Sequence, residues 1–155
     1  MSLPQVCVLM STYNGENYIV EQINSILKQI NVTVELIIRD DGSSDNTSSI
    51  IRKFENDYSN ILFIQGENVG VGRSFMELLK YAPESDYYSF ADQDDVWLED
   101  KLCRAVNMIK ELENEGVDNC RHQILPVLYS SNQILVDENL NKYGIRFESE
   151  PKHDL

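Results

Sequence analysis

The chain has 155 residues, 42% of them apolar, which is about one domain's length and enough to bury a single core. Thirteen basic residues against 26 acidic ones leave a formal charge of −13, the wrong sign for neutralising nucleic-acid phosphates or an anionic membrane surface, so a phosphate ligand would need a cation beside it. The apolar run near the start, Val6 to Met10, falls far short of the roughly 20 residues of a membrane span and follows no basic leader, so a soluble, cytoplasmic protein is expected.

Val6 to Met10 ends in Ser11-Thr12-Tyr13-Asn14-Gly15 and reads as a strand buried on both faces that closes in a turn. Cys7 lies within it; with Cys103 and Cys120 it makes a scattered set without a Cys-x-x-Cys pair, which predicts reduced thiols rather than a disulfide or zinc site. Ile19, Ile23, Ile26, Leu27 and Ile30 then fall at helical spacing and predict an amphipathic helix from Asn17 to Ile30. Val34 to Ile38 is a second strand, and Asp41-Gly42-Ser43-Ser44-Asp45-Asn46-Thr47 is a turn cluster whose last residues can cap a helix carrying Ile50, Ile51 and Phe54.

Ile61 to Ile64 is a third strand; Gly66 to Gly72 leads into a helix with Phe75, Met76, Leu78 and Leu79; Tyr87 to Ala91 is a fourth strand. A helix from Asp100 to about Glu115 follows, and Ile124 to Ser130 and Gln133 to Val136 read as two closing strands, with no periodicity from Asn139 onward. The alternation predicts an α/β fold, an open, mostly parallel sheet with helices on both faces, whose strand-to-helix loops gather at the carboxyl edge where ligands bind.

Almost all the distinctive polar residues fall on that rim. If the fourth strand lies beside the first, with the second beyond it, the Asp92 loop faces the Thr12 loop across a crevice with Asp41 at its far side. Asp92 and Asp94, two apart at a strand end, can approach one hard cation; magnesium or manganese suits such oxygen ligands, and zinc, without nearby His or Cys, does not. The same Asp92-Gln93-Asp94-Asp95 is also compatible with a solvated turn capping the next helix, and Asp40-Asp41-Gly42-Ser43 with an Asx-turn at a positive-φ glycine. Tyr13 offers either a flat face for a base or core packing, and Arg73 either a phosphate contact at a helix start or a surface charge. Gly66, Gly70 and Gly72 do not form Gly-x-Gly-x-x-Gly, which argues against a nicotinamide enzyme.

Taken together, Ser11-Thr12-Tyr13-Asn14, Asp40-Asp41-Gly42-Ser43-Ser44-Asp45 and Asp92-Gln93-Asp94-Asp95 resemble family 2 glycosyltransferases of GT-A fold, over roughly Val6 to Leu102 and more loosely over Ile124 to Asn141. The resemblance implies a donor-binding domain over residues 1–141 and an irregular tail over 142–155, with the acceptor-binding half outside the chain. It puts Thr12 and Tyr13 against a nucleobase, Asp41 on a base N–H, Asp92 near ribose and metal, and Asp94 on the metal, with Asn14, Glu16, Asp40 and Arg73 as further nucleotide contacts. It also implies inverting transfer of a sugar from a nucleoside-diphosphate donor to a glycan or lipid-linked acceptor in bacterial polysaccharide synthesis, with Mn2+ or Mg2+ as cofactor. The Asp-Gln-Asp-Asp-Val-Trp run is similar to rhamnosyltransferase-like members and suggests a dTDP- or UDP-linked donor. The whole protein would then sit peripherally at the inner face of the membrane. No general base is identifiable, His153-Asp154 standing very near the chain's end. A non-catalytic nucleotide-sugar module and an aspartyl-nucleophile phosphatase are the competing readings; Val96, where the latter expects a hydroxyl residue, speaks against it.

Overall fold

A computed structural model describes residues 2–115, 126–131, 133–137 and 140–145. The chain forms two compact units, residues 1–106 and 107–155. In the first, β1 (Gln5–Thr12), β2 (Thr33–Asp40), β3 (Ile61–Gln65) and β4 (Tyr87–Ala91) make one sheet in the order β3-β2-β1-β4, with every pairing parallel. The helices α1 (Ile19–Leu27), α2 (Thr47–Asp57), α3 (Val71–Leu78) and α4 (Lys101–Glu115) connect and follow the strands.

The central strand shows why an unbroken apolar run was needed. Successive side chains of a strand point to opposite faces, and both faces of β1 are covered. Val6, Val8 and Met10 pack with Leu36, Ile38, Ile19, Ile23, Ile26, Ile51, Trp97, Leu102 and Val106 on one face. Cys7 and Leu9 pack with Ile37 and Leu78 on the other, with Phe75 and Ile64 against them. Burial first, and then the negative charge of Glu35, pushes the Cys7 thiol up to about 11, so it stays protonated as an inert core group. Helices on both faces are as the sequence predicts, and β4 lies beside β1, the arrangement under which the Asp92 loop faces the Thr12 loop.

The second helix starts at Thr47, where Asp45, among the last residues of the turn cluster, accepts the Thr47 N–H at 3.0 Å, as the sequence predicts. Two features differ from expectation. The first helix stops at Leu27 rather than Ile30, because the Ile30 N–H donates to the Glu99 carbonyl at 2.9 Å and Asn31 turns left-handed at φ 59°. In the second unit, 126–130 carries no strand, and β5 (Ile134–Val136) pairs antiparallel with β6 (Lys142–Ile145), so residues 142–145 are not irregular. Ile124, Cys120, His153 and Asp154 lie outside the described residues. No helix among the described residues is long and apolar enough to cross a membrane.

The turn after β2 depends on one glycine. Gly42 has φ +82°, and a Cβ there would meet the Asn68 backbone nitrogen at 2.9 Å. Gly42→Ala is therefore expected to lose at least about 1–2 kcal/mol, the cost of a left-handed conformation for an L-residue, read as a lower midpoint in urea unfolding.

Candidate active site

The register brings three loops to one edge: Thr12 pairs with Asp40, and Met10 with Ala91, so the segments leaving β1, β2 and β4 start side by side. Between them lies a cleft of about 340 Å³ whose lining includes Ser11, Thr12, Tyr13, Asp41, Asn68, Val71, Asp92, Gln93 and Asp94.

Gln93 joins two walls of this cleft. Its Oε1 accepts from the Thr12 hydroxyl at 2.6 Å and the Tyr13 N–H at 2.8 Å, while its Nε2 donates to the Tyr13 carbonyl at 3.2 Å. A Cβ at Gly15 would sit 2.6 Å from that Oε1, so only glycine admits the contact. The exposed Tyr13 ring is thereby held on a backbone fixed from both sides, without being part of the core.

Asp41 is buried and fully engaged on one oxygen. Its Oδ1 takes the Arg39 guanidinium at 2.5 Å and the Val69 N–H at 3.0 Å, and its Oδ2 takes the Gly70 N–H at 2.9 Å. One acceptor position on Oδ2 remains. Burial alone would raise its carboxyl, but the Arg39 hydrogen bond, then those from Val69 and Gly70, then the charge of Arg39 outweigh it and hold the group below the usual carboxylate range. Asp45 is also lowered: burial raises it, and the Thr47 hydroxyl together with the N–H groups of Thr47, Glu16 and its own residue overcomes that.

Both carboxylates thus contribute stability that is present above their unfolded value near pH ~3.9 and is lost as pH falls through their lower native values. An acid limb of unfolding below about pH 4 is expected, shallower in Asp45→Asn, as followed by the unfolding midpoint against pH.

Asp92 and Asp94 are exposed at the mouth of the cleft, while Asp95 is half-buried and does not line it. Burial raises the Asp95 carboxyl, Lys101 pulls it down, and the charges of Asp92 and Asp94 push it up again. The Lys101 ammonium stands 4.0 Å over the Trp97 ring; burial lowers its pKa, opposed by Asp95 and Asp92. No group of three or more His, Cys, Asp or Glu suited to a metal is present among the described residues. Two hard carboxylates fit a Mg2+ or Mn2+ ion whose other ligands are water and a bound phosphate, since such ions keep several non-protein oxygens.

Of the residues singled out by sequence, Thr12, Tyr13, Asp41, Asp92 and Asp94 meet in the cleft. The other four do not line it. Asn14 accepts from the Ser44 N–H at 2.9 Å and Glu16 from the Asn46 N–H at 2.9 Å, which ties two loops together, and Asp40 accepts from the hydroxyls of Ser43 and Ser48, which ties the end of β2 to the turn and to α2. Arg73 lines a separate cleft of about 410 Å³ beside Gln65, Met76 and Tyr81. Gln93, Asn68 and Arg39 were not singled out. Arg39 had a signal, a charged residue at the end of a buried strand two positions before an aspartate, where both face one side.

The profile of glycosyl transferase family 2 matches residues 7–152. The chain belongs to that family. Among its relatives, the dTDP-rhamnosyl transferase RfbG of Shigella flexneri is 39% identical over 105 residues, 64% of this chain and 36% of RfbG. The UDP-Glc:alpha-D-GlcNAc-diphosphoundecaprenol beta-1,3-glucosyltransferase WfgD of Escherichia coli is 35% identical over 67% of this chain and 40% of its own length. Among solved structures, S. aureus TarS in complex with UDP superposes with a TM-score of 0.61 at 34% identity, covering 69% of this chain and 32% of that one. The mannosyltransferase PcManGT of Pyrobaculum calidifontis, in complex with GDP-Man and Mn2+, gives 0.61 at 25% identity over 68% and 32% of the two chains. The matched part spans about a third of the length of these relatives. Membership of glycosyl transferase family 2 sets aside the phosphatase reading and agrees with the parallel sheet as a GT-A fold.

Proposed function

We propose that this chain is the donor-binding part of an inverting glycosyltransferase of bacterial glycan synthesis, taking a uridine or thymidine diphosphate sugar. The observation that carries the reading is the convergence of Tyr13, Asp41 and the Asp92–Asp94 pair on one cleft within a family 2 domain. RfbG and WfgD, named for dTDP-rhamnose and UDP-Glc transfer, support a pyrimidine donor.

In this reading the exposed Tyr13 ring stacks on the base, and the free acceptor position on Asp41 Oδ2 takes its ring N–H, which uracil and thymine offer and adenine does not. Arg39 holds that carboxylate ionised and aimed. Asp92 and Asp94 hold a Mn2+ or Mg2+ ion, which when bound neutralises the diphosphate as it leaves. The acids lining the cleft are thereby all committed, Asp41 to Arg39 and two N–H groups, Asp92 and Asp94 to the cation. That favours a general base supplied from outside these lining residues, or a module that binds the donor without turning it over; the two differ in whether nucleoside diphosphate is released from the donor.

A thermal-shift panel of UDP, dTDP, GDP and ADP, each with and without manganese, tests the binding step. A ligand at about 100 times its Kd adds roughly 2.7 kcal/mol of stability. UDP and dTDP are expected to reach such a shift only with manganese and ADP not at all; equal shifts with all four, or none, would sink the proposal.

A further inference from the structure

Helix α1 buries more than an apolar stripe. Gln22, Ser25 and Gln29, three and four residues apart, are 0%, 7% and 8% exposed; the first two share one line of α1 and Gln29 follows in the turn just beyond its end. Burying three polar side chains where Ile19, Ile23 and Ile26 show that apolar ones suffice for covering the sheet needs a reason.

Each of the three is bonded to the segment that begins with the acidic loop. Gln22 Nε2 donates to the Asp92 carbonyl at 2.9 Å. Ser25 Oγ accepts the Trp97 N–H at 3.0 Å. Gln29 Nε2 donates to the Leu98 carbonyl at 2.7 Å, and its Oε1 accepts the Leu102 N–H at 2.9 Å. Residues 92–100 have no helix or strand of their own, so their backbone groups need partners from elsewhere. The Asp92 carbonyl can only accept, which fixes the Gln22 amide with its Nε2 toward it. The Gln93 side chain is bonded to Thr12 and Tyr13. The loop is therefore held by α1 at the Asp92 carbonyl and by the end of β1 at the Gln93 side chain, with the Asp92 and Asp94 side chains exposed.

We propose that the Gln22–Ser25–Gln29 stripe is a positioning device for the acidic loop, with Gln22 setting the backbone from which Asp92 and Asp94 meet the cation and the diphosphate. The inference rests on the donor-site reading given above. It assigns Gln22 no contact with substrate; the residue acts through the Asp92 carbonyl.

The test is calorimetric titration of UDP into the 155-residue chain with and without MnCl2, for wild type, Gln22→Met and Ile23→Val. Methionine keeps the volume of Gln22 and removes its N–H donor, and Ile23→Val loosens the same helix through an apolar neighbour. Gln22→Met is expected to leave metal-free UDP affinity nearly unchanged and to reduce the gain on adding manganese by about tenfold or more, as loss of groups that orient metal ligands commonly does. Ile23→Val is expected to lower Tm and keep the gain. Full gain in folded Gln22→Met overturns the inference, as does an equal loss in Ile23→Val. If methionine does not yield folded protein, Gln22→Asn, too short to reach Asp92, takes its place; failure of both to fold makes the residue one that serves the fold and overturns the inference too. A wild-type chain that gains nothing from manganese removes the donor-site reading and this inference with it, whereas gain in wild type that persists in Gln22→Met removes this inference alone.

Discussion

Arg39→Met is expected to cost the chain about 3–5 kcal/mol, because it leaves Asp41 as a buried charge without its counter-ion. The pair is enclosed, with side chains 6% and 4% exposed at 2.5 Å. The guanidinium also donates to the Ser74 hydroxyl at 2.9 Å and the Glu67 carbonyl at 3.0 Å; Ser74 keeps its bond with the Ser11 hydroxyl, but the Glu67 carbonyl loses its donor. Against a typical domain stability of about 5–15 kcal/mol that is a large fraction. The exposed pairs Lys80–Glu77 and Arg104–Asp100 supply the contrast; removing Lys80 is expected to change stability by about 0–1 kcal/mol at most. Urea unfolding of the two variants side by side checks this, and equal midpoints would show that the buried pair holds nothing together.

Asp94→Ala should behave in the opposite way. Asp94 is exposed and makes no core contact, so its removal is expected to alter intrinsic stability by less than about 0.5 kcal/mol. Yet the roughly 2.7 kcal/mol that UDP with manganese is expected to add to wild type should disappear. A variant as stable as wild type but blind to manganese separates a metal ligand from a helix-capping aspartate, whose loss would lower Tm with or without nucleotide. Retention of the full metal-dependent shift would return Asp92-Gln93-Asp94 to turn chemistry.

The contrast between these residues explains what was legible in the sequence. β1 and β2 announce themselves because both sheet faces are covered, leaving an apolar run with no polar alternation. The rim was legible because strand order and parallel direction force the loops after Thr12, Asp40 and Ala91 to one edge. Asn14, Glu16 and Asp40 look in the sequence like the residues that line the cleft, and it is only their hydrogen bonds with Ser44, Asn46 and Ser48 and their place outside its lining that set them apart. The stripe of Gln22, Ser25 and Gln29 adds nothing to the apolar periodicity of α1; its only mark in the sequence is polar residues at helical spacing beside the apolar face. β6 was missed because a four-residue strand carries almost no periodic signal.

The central claim is that nucleotide and divalent cation meet between the loops after β1, β2 and β4. Amide NMR spectra of the chain with UDP and a trace of Mn2+, whose unpaired electrons broaden nearby signals, test it most directly. The signals of residues 11–14, 41 and 92–95 should fade first and only when UDP is present, while those of Gln5 and Thr33, at the opposite end of their strands, persist. Broadening centred elsewhere on this acidic surface, or the same with and without UDP, would contradict the account.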